Sequence, residues 1–201
     1  METPLQIMKQ KTQPWHDRLE QVSHAQQIMD QSLTLPQLKD LFLAHYKLHS
    51  LLELDICKTL EPIAELVYHQ RLKLAALDSD LAQLKLTRPP VSMALKPQID
   101  DLSVALGYAY VLEGSSLGGA VIQRQLNKHA DLQFFSSQFY QFYGSQLRER
   151  WLDFVTITNR LLISSGETEL AVRAAIAAFQ LAYIIFDAEV STDETEPWFG
   201  S

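Results

Sequence analysis

The sequence predicts an all-α fold in a single domain, and three observations carry that reading. Seven glycines and eight prolines in 201 residues leave too little punctuation for a fold of many short strands. Apolar residues recur instead at three- and four-residue spacing through most of the chain, the signature of amphipathic helix. Hydrophobic residues make up 47% and charged residues 20%, which supplies a core and is too apolar for disorder. A chain of this length is one domain or at most two small ones, and no internal repeat divides it.

In chain order, the first apolar pattern is interrupted by Pro14. Thr12 is the expected N-cap, with Pro14 in the tolerated first turn of a helix to about His24, and the residues before Thr12 form a separate or kinked turn. A second helix begins near Pro36 and runs through Leu38, Leu41, Phe42, His45, Leu48, Leu52 and Ile56. Pro62 opens a third through about Leu74, and Asp78 or Ser79 caps a short fourth. Leu86 to Gln98 holds three prolines and is the longest connection, but not a domain boundary, because the apolar faces on both sides still need partners. From Pro97 a helix runs through Ile99, Leu102, Ala105, Leu106, Ala109 and Leu112 to a glycine cluster, and the pattern resumes to Leu126. Residues 134–143 are rich in Phe, Tyr and Ser. Gly144 precedes a helix through Leu147, Trp151, Phe154 and Leu161, which Gly166 stops. The last helix spans roughly Glu167 to Val190. The expectation is about seven to nine helices in a domain of residues 1–190, with 191–201 a flexible acidic tail.

Composition also excludes function classes. Lys and Arg total 17 against 24 Asp and Glu, a formal charge of −7, which argues against nucleic acid as a partner. The most apolar stretch, Ala171 to Val190, is broken by Arg173, Gln180, Asp187 and Glu189, so no run reaches the roughly 18 residues that span a bilayer. The first residues lack the apolar segment and cleavage site of a secretory signal, and a cytoplasmic protein is expected. Cys57 is the only cysteine, which removes any intrachain disulfide and any cysteine-cluster metal site; without a local motif or base it is a poor nucleophile. No long exposed apolar seam is evident, and a monomer is the default.

Gly114, Gly118 and Gly119 fall within six residues. Each costs a helix interior roughly 1 kcal/mol relative to alanine, so their clustering needs a reason. One reading is a loop or C-cap. The other is a kinked helix with bare backbone, because the flanks are good helix formers and no proline intervenes. Gly114 and Gly118 then lie one turn apart on one face, where something flat and bulky can approach the main chain.

The segment YVLEGSSLGGAVI, Tyr110 to Ile122, resembles the distal-helix motif of heme oxygenases, particularly the bacterial branch. LQIMKQKTQPWHDRLE, Leu5 to Glu20, resembles that family's first helix, whose histidine is the axial iron ligand; the matching residue is His16. The two motifs stand about one hundred residues apart, as in the family, and the similarity covers the whole chain. AFQLAYIIF is a weaker match, placing Phe179 and Phe186 where the family has aromatic pocket residues. The resemblance implies heme, as heme b, sandwiched between a proximal and a kinked distal helix as both prosthetic group and substrate. It implies cleavage by O2 and reductant to biliverdin, free iron and carbon monoxide, with electrons from a ferredoxin- or flavodoxin-like protein or a reductase.

The residues implied for each role follow. A neutral imidazole at His16 holds iron and leaves the opposite face free. Gly114 and Gly118 let the distal backbone close over the ring, with Gly119 beside them. Ser115 stands where mammalian enzymes carry an aspartate that organises water, followed by Ser116; both also fit serines bonded to their own preceding carbonyls. Lys9, seven residues before His16, matches a propionate-binding lysine, and Arg148 and Arg150 are further cations for the propionates. Tyr110 either hydrogen-bonds in the pocket or packs. His45, His49 and Glu53, spaced four apart, read as a half-exposed helix face, although that spacing also suits a metal and some proteins of this fold hold di-iron. His24, His69 and His129 lack context. The competing functions are a heme carrier or sensor without turnover and a non-heme di-iron protein of the same fold.

Overall fold

A computed structural model describes residues 2–193. Those residues form seven α-helices joined by turns and short 3₁₀ segments, with no strand among them. The helices are α1 (Pro4–Val22), α2 (Ala25–Asp30), α3 (Leu35–Leu60), α4 (Leu74–Gln83), α5 (Leu102–Leu126), α6 (Leu147–Leu161) and α7 (Ser165–Asp193). The expected tail falls largely on residues 194–201, outside the described residues; 191–193 continue α7.

Helix α1 starts earlier than expected and runs straight through Pro14. Thr3 is its cap: the Thr3 hydroxyl accepts from Gln6 N–H at 3.3 Å, and the Gln6 side chain accepts from Thr3 N–H at 2.8 Å. Pro4 takes the first turn, where its missing N–H costs nothing. Buried Leu5 and Met8 anchor these turns in the core, and Leu5 N–H donates to Asn159 Oδ1 of α6 at 3.0 Å. Thr12 is therefore an interior residue, its hydroxyl bonded to Met8 O at 2.8 Å. Tertiary packing has outweighed the break that Pro14 imposes on an isolated helix.

The cap of α3 is Thr34, again in a capping box, with Gln37. The expected third helix after Pro62 is instead two 3₁₀ turns, Ala64–Leu66 and Tyr68–Arg71, separated by Val67 at φ +43°. Asp78 and Ser79 lie inside α4 and cap nothing. The backbone N–H groups of Lys73 and Leu74 are met from another helix, by the Glu53 carboxylate at 2.6 and 3.1 Å. Asp80 is buried and accepts from Ser137 Oγ, Gln138 N–H and Phe139 N–H at 2.7–2.9 Å, which pins the aromatic segment 137–140 to α4.

Helix α5 is capped by Asp101 and continues unbroken through the glycine cluster, so the loop reading is excluded. It crosses α7 closely: a Cβ at Gly107 would stand 2.2 Å from Ala171 O. Helix α6 ends at Leu161, and Gly166 lies in the first turn of α7 rather than stopping its predecessor. By length and composition Ser165–Val190 could cross a membrane, despite the charges that interrupt it, yet 56% of its most apolar window is buried inside the protein. It packs against α1, α3 and α5, and so forms the wall along which the site is built.

Candidate functional site

Helices α1, α3, α5, α6 and α7 enclose a cavity of about 540 Å³, within the range of cofactor and small-molecule sites. Its wall brings together Lys9 and His16 from α1, Tyr110, Gly114, Ser115 and Gly118 from α5, and Phe179 and Phe186 from α7. Helical periodicity explains the selection. Gly114, Ser115 and Gly118 share one face of α5, whereas Ser116 and Gly119 are rotated from Gly114 by roughly 200° and 140°.

Four expected residues fall elsewhere. Gly119 faces the core, where an added Cβ would lie 2.8 Å from Tyr140 Cδ1 and 3.2 Å from its Cα; it is a packing glycine. Ser116 is buried beside a smaller crevice with Tyr140, Tyr143 and Gly144. Arg148 is exposed on α6 and lines no part of the cavity. Arg150 is outside it as well, donating to Gln70 Oε1 at 3.3 Å. Among the described residues, Lys9 is the one Lys, Arg, Asp or Glu side chain on the wall, at the mouth.

At that mouth His16 is half exposed. Its Nδ1 lies 3.6 Å from Glu20 Oε1, one turn on, and 4.0 Å from Asp17 Oδ1. The imidazole packs edge-on to Phe179, with centroids 5.9 Å apart. With Nδ1 turned to carboxylates, Nε2 is the nitrogen available to a ligand. Opposite, a Cβ at Gly114 would meet only Trp151 at 3.9 Å, and one at Gly118 would meet nothing within 4 Å. Side chains there would occupy the cavity, so the two glycines form a cradle. Tyr110 tilts over Trp151, centroids 6.1 Å apart. Burial raises its phenol pKa, against a hydrogen bond with Thr12 that ties α5 to α1. Ser115 donates to Leu112 O at 2.8 Å, the intrahelical bond of one of its two readings.

Directly before Gly114, Glu113 is buried among three donors: Arg71 Nη1 at 2.6 Å, Lys73 Nζ at 2.7 Å and Tyr143 OH at 2.8 Å. Burial pushes the Glu113 carboxyl up, but Lys73 and Arg71 outweigh it and hold it below the usual range. This network locks the distal helix in register at the cradle.

The floor departs from the expected half-exposed face: His49 and Glu53 are 1% and 2% exposed, and His45 is partly buried. His45 and His49 both line the cavity. Burial, with His49 beside it, lowers the His45 pKa to about 3. Their spacing on α3 was the available signal; the aromatic segment that buries them, Phe139 and Tyr140, is remote in sequence. Trp151 of α6 also lines the cavity, and Ala182 between Phe179 and Phe186 shares their face of α7. A di-iron centre needs ligands from several core helices. Among the described residues, the one group of three metal-ligating side chains close enough to share an ion is His16, Asp17 and Glu20, on one exposed turn of α1.

The residues fit heme: one imidazole nitrogen free to ligate, a glycine cradle facing it, apolar side chains between, and a lysine at the mouth for a carboxylate. Among solved structures, the chain is similar to heme oxygenase from Leptospira interrogans, with a TM-score of 0.79 and 16% identity over 93% of this chain and 100% of that one. At that identity the likeness speaks for the fold. No curated protein sequence matches. The sequence profile described as heme oxygenase matches residues 3–188. With nearly its whole length so matched and its fold shared, this chain belongs to the heme oxygenase family.

Proposed function

We propose that this protein opens heme to biliverdin, releasing iron and carbon monoxide, as a cytoplasmic monomer of the bacterial type fed by a ferredoxin-like, flavodoxin-like or reductase partner. The observation that supports it is the convergence of His16 with Gly114 and Gly118 on one cavity. When bound, heme supplies the iron that activates O2 and the porphyrin that is oxidised. His16 Nε2 would hold the iron, with Glu20 and Asp17 facing Nδ1 to orient that imidazole. Gly114 and Gly118 leave the α5 backbone bare on the cavity wall, where it would confine a small molecule beside the ring. The Ser115 hydroxyl oxygen remains an acceptor, since its hydrogen is given to Leu112 O. Phe179, Phe186 and Trp151 exclude water, and Lys9 pairs a propionate at the mouth.

An absorbance titration of the purified protein with hemin, followed by ascorbate or a ferredoxin system in air, tests this. The expected result is a one-to-one Soret complex, lost in His16→Ala, that gives way to a bilin band on reduction. A Soret band that survives repeated reducing cycles overturns turnover and leaves a carrier. Absence of any saturable Soret complex overturns the heme reading.

A further inference from the structure

A second recess lies behind the distal helix. Ser116, Ala120 and Arg124 of α5 line one side of it, and Tyr140, Tyr143 and Leu147 the other. Its volume is about 290 Å³, at the lower edge of small-molecule sites. Ser116 is rotated from Gly114 by roughly 200° about the helix axis, and the crevice shares no lining residue with the cavity.

Most polar groups along this crevice are committed. Tyr143 donates to Glu113 at 2.8 Å. The Gln123 amide accepts from Ser137 N–H at 2.9 Å and donates to Phe135 O at 3.1 Å. Two hydroxyls are not committed. Ser116 is 6% exposed and Tyr140 3%, and neither hydroxyl has a hydrogen-bond partner. A helical serine ordinarily returns its hydroxyl to a preceding carbonyl, as Ser115 does to Leu112 O; Ser116 does not. Buried polar atoms left unmet are costly and rare, so two on one crevice mark a place that a polar ligand completes.

The open groups select the ligand. Both hydroxyls can donate, and burial, with Asp80 nearby, pushes the Tyr140 phenol up and keeps it protonated. Arg124 is the one Lys, Arg, Asp or Glu side chain on the crevice. Its Nε donates to Ala120 O at 3.2 Å, and its terminal nitrogens bond no described residue. Glu113, behind Tyr143, is already matched by Arg71 and Lys73, so no bare negative charge opposes an anion. One cation and two hydroxyl donors suit a single negative charge, and a guanidinium fits the planar carboxylate best. Ala120 and Leu147 supply apolar surface beside these donors.

We propose that this crevice binds a small monocarboxylate, whose oxygens accept from Ser116, Tyr140 and Arg124 and whose short apolar tail lies on Ala120 and Leu147. The site is separate from the heme cavity and does not rest on the heme reading.

Backbone ¹H–¹⁵N shifts of the ligand-free protein, titrated with sodium butyrate, test it. Butyrate should give saturable, one-site shifts at Ser116, Arg124 and Tyr140. Butyramide, its neutral isostere, and inorganic phosphate should bind about tenfold more weakly or worse. Arg124→Gln should weaken butyrate by about tenfold, the worth of a charge-assisted hydrogen bond, and Ser116→Ala and Tyr140→Phe by about fivefold each. Lys9→Gln, in the other cavity, should leave butyrate binding unchanged. Because the Tyr140 hydroxyl is unmet without ligand, Tyr140→Phe should keep or raise the urea midpoint, where a hydroxyl with a structural partner would lower it. Absence of a saturable butyrate shift overturns the proposal. So does butyramide or phosphate binding as tightly as butyrate, or undiminished butyrate affinity in Arg124→Gln and Tyr140→Phe. The hemin titration is read separately, so either reading can fail without the other.

Discussion

Two histidine–glutamate pairs, each four residues apart on a helix, stand at the two ends of the cavity. His16 and Glu20 on α1 are 50% and 57% exposed, with 3.6 Å between their nearest atoms. His49 and Glu53 on α3 are 1% and 2% exposed and 2.6 Å apart. Identical spacing brings the partners together in both cases; burial decides what the meeting does. At the mouth, water screens the pair, the contact is loose, and the imidazole keeps a nitrogen for a ligand. At the floor the carboxylate has no water to turn to, so it gathers three donors, fixes a ring tautomer and secures the start of α4.

The sharpest way to break this comparison is to delete each carboxylate. Glu53→Ala leaves two backbone N–H groups and a buried imidazole unmet and should cost about 3–5 kcal/mol in urea unfolding. Glu20→Ala should stay within about 0.5 kcal/mol. Equal losses would mean that burial does not separate the pairs.

Acid should strike the floor first. His45 has a folded pKa of about 3, and an unfolded histidine titrates near 6.5. Between those values the unfolded chain binds more protons, so this contribution is complete above about pH 6.5. It falls by up to about 1.4 kcal/mol per pH unit as the pH drops toward 3. The depressed Glu53 carboxyl acts in a lower window: its stabilisation is present above the unfolded value of about 4.3 and is lost as pH falls through its folded value. His45→Leu should flatten the upper part of a stability-against-pH curve and leave the lower part; an unchanged curve would remove His45 as its cause.

Neighbouring glycines extend the contrast. Gly119→Ala forces a methyl against Tyr140 and should destabilise by about 1–3 kcal/mol. Gly118→Ala meets open space and should gain up to about 1 kcal/mol from helix propensity while weakening hemin binding in the same titration. Loss of both stability and affinity at Gly118 would remove it from the cradle. Glu20→Gln should leave unfolding unchanged, the smallest effect on stability, while lowering hemin affinity roughly tenfold; an unaltered affinity would show that Glu20 does not act through His16.

Much of this was legible in one dimension. The apolar period of α3 and the long α7 are local patterns, and a regular helix places Gly114 and Gly118 on one face once the segment is helical; α5 starts at its Asp101 cap, later than the expected Pro97. The errors have local causes. Pro14 and Pro62 look alike as breakers, yet α1 is carried through the first by Leu5, Met8 and the Asn159 contact, while the chain after Pro62 reverses at Val67, φ +43°, between two 3₁₀ turns. Arg148 had the right charge for a propionate and the wrong helix face. Gly119 looked like its neighbours because a glycine has no side chain to betray which way it points.

From the chain alone came most of the long helices, the His16 and glycine motifs and the family they resemble, because helix periodicity and motif spacing are properties of neighbouring residues. Only the tertiary structure decided which faces meet. That made Glu53 a cap for a helix it is not part of, turned His45 and His49 into the floor of a cavity, and set Glu113 among Arg71, Lys73 and Tyr143. Burial and electrostatics depend on what packs against a residue from far along the chain, and no local pattern carries that information.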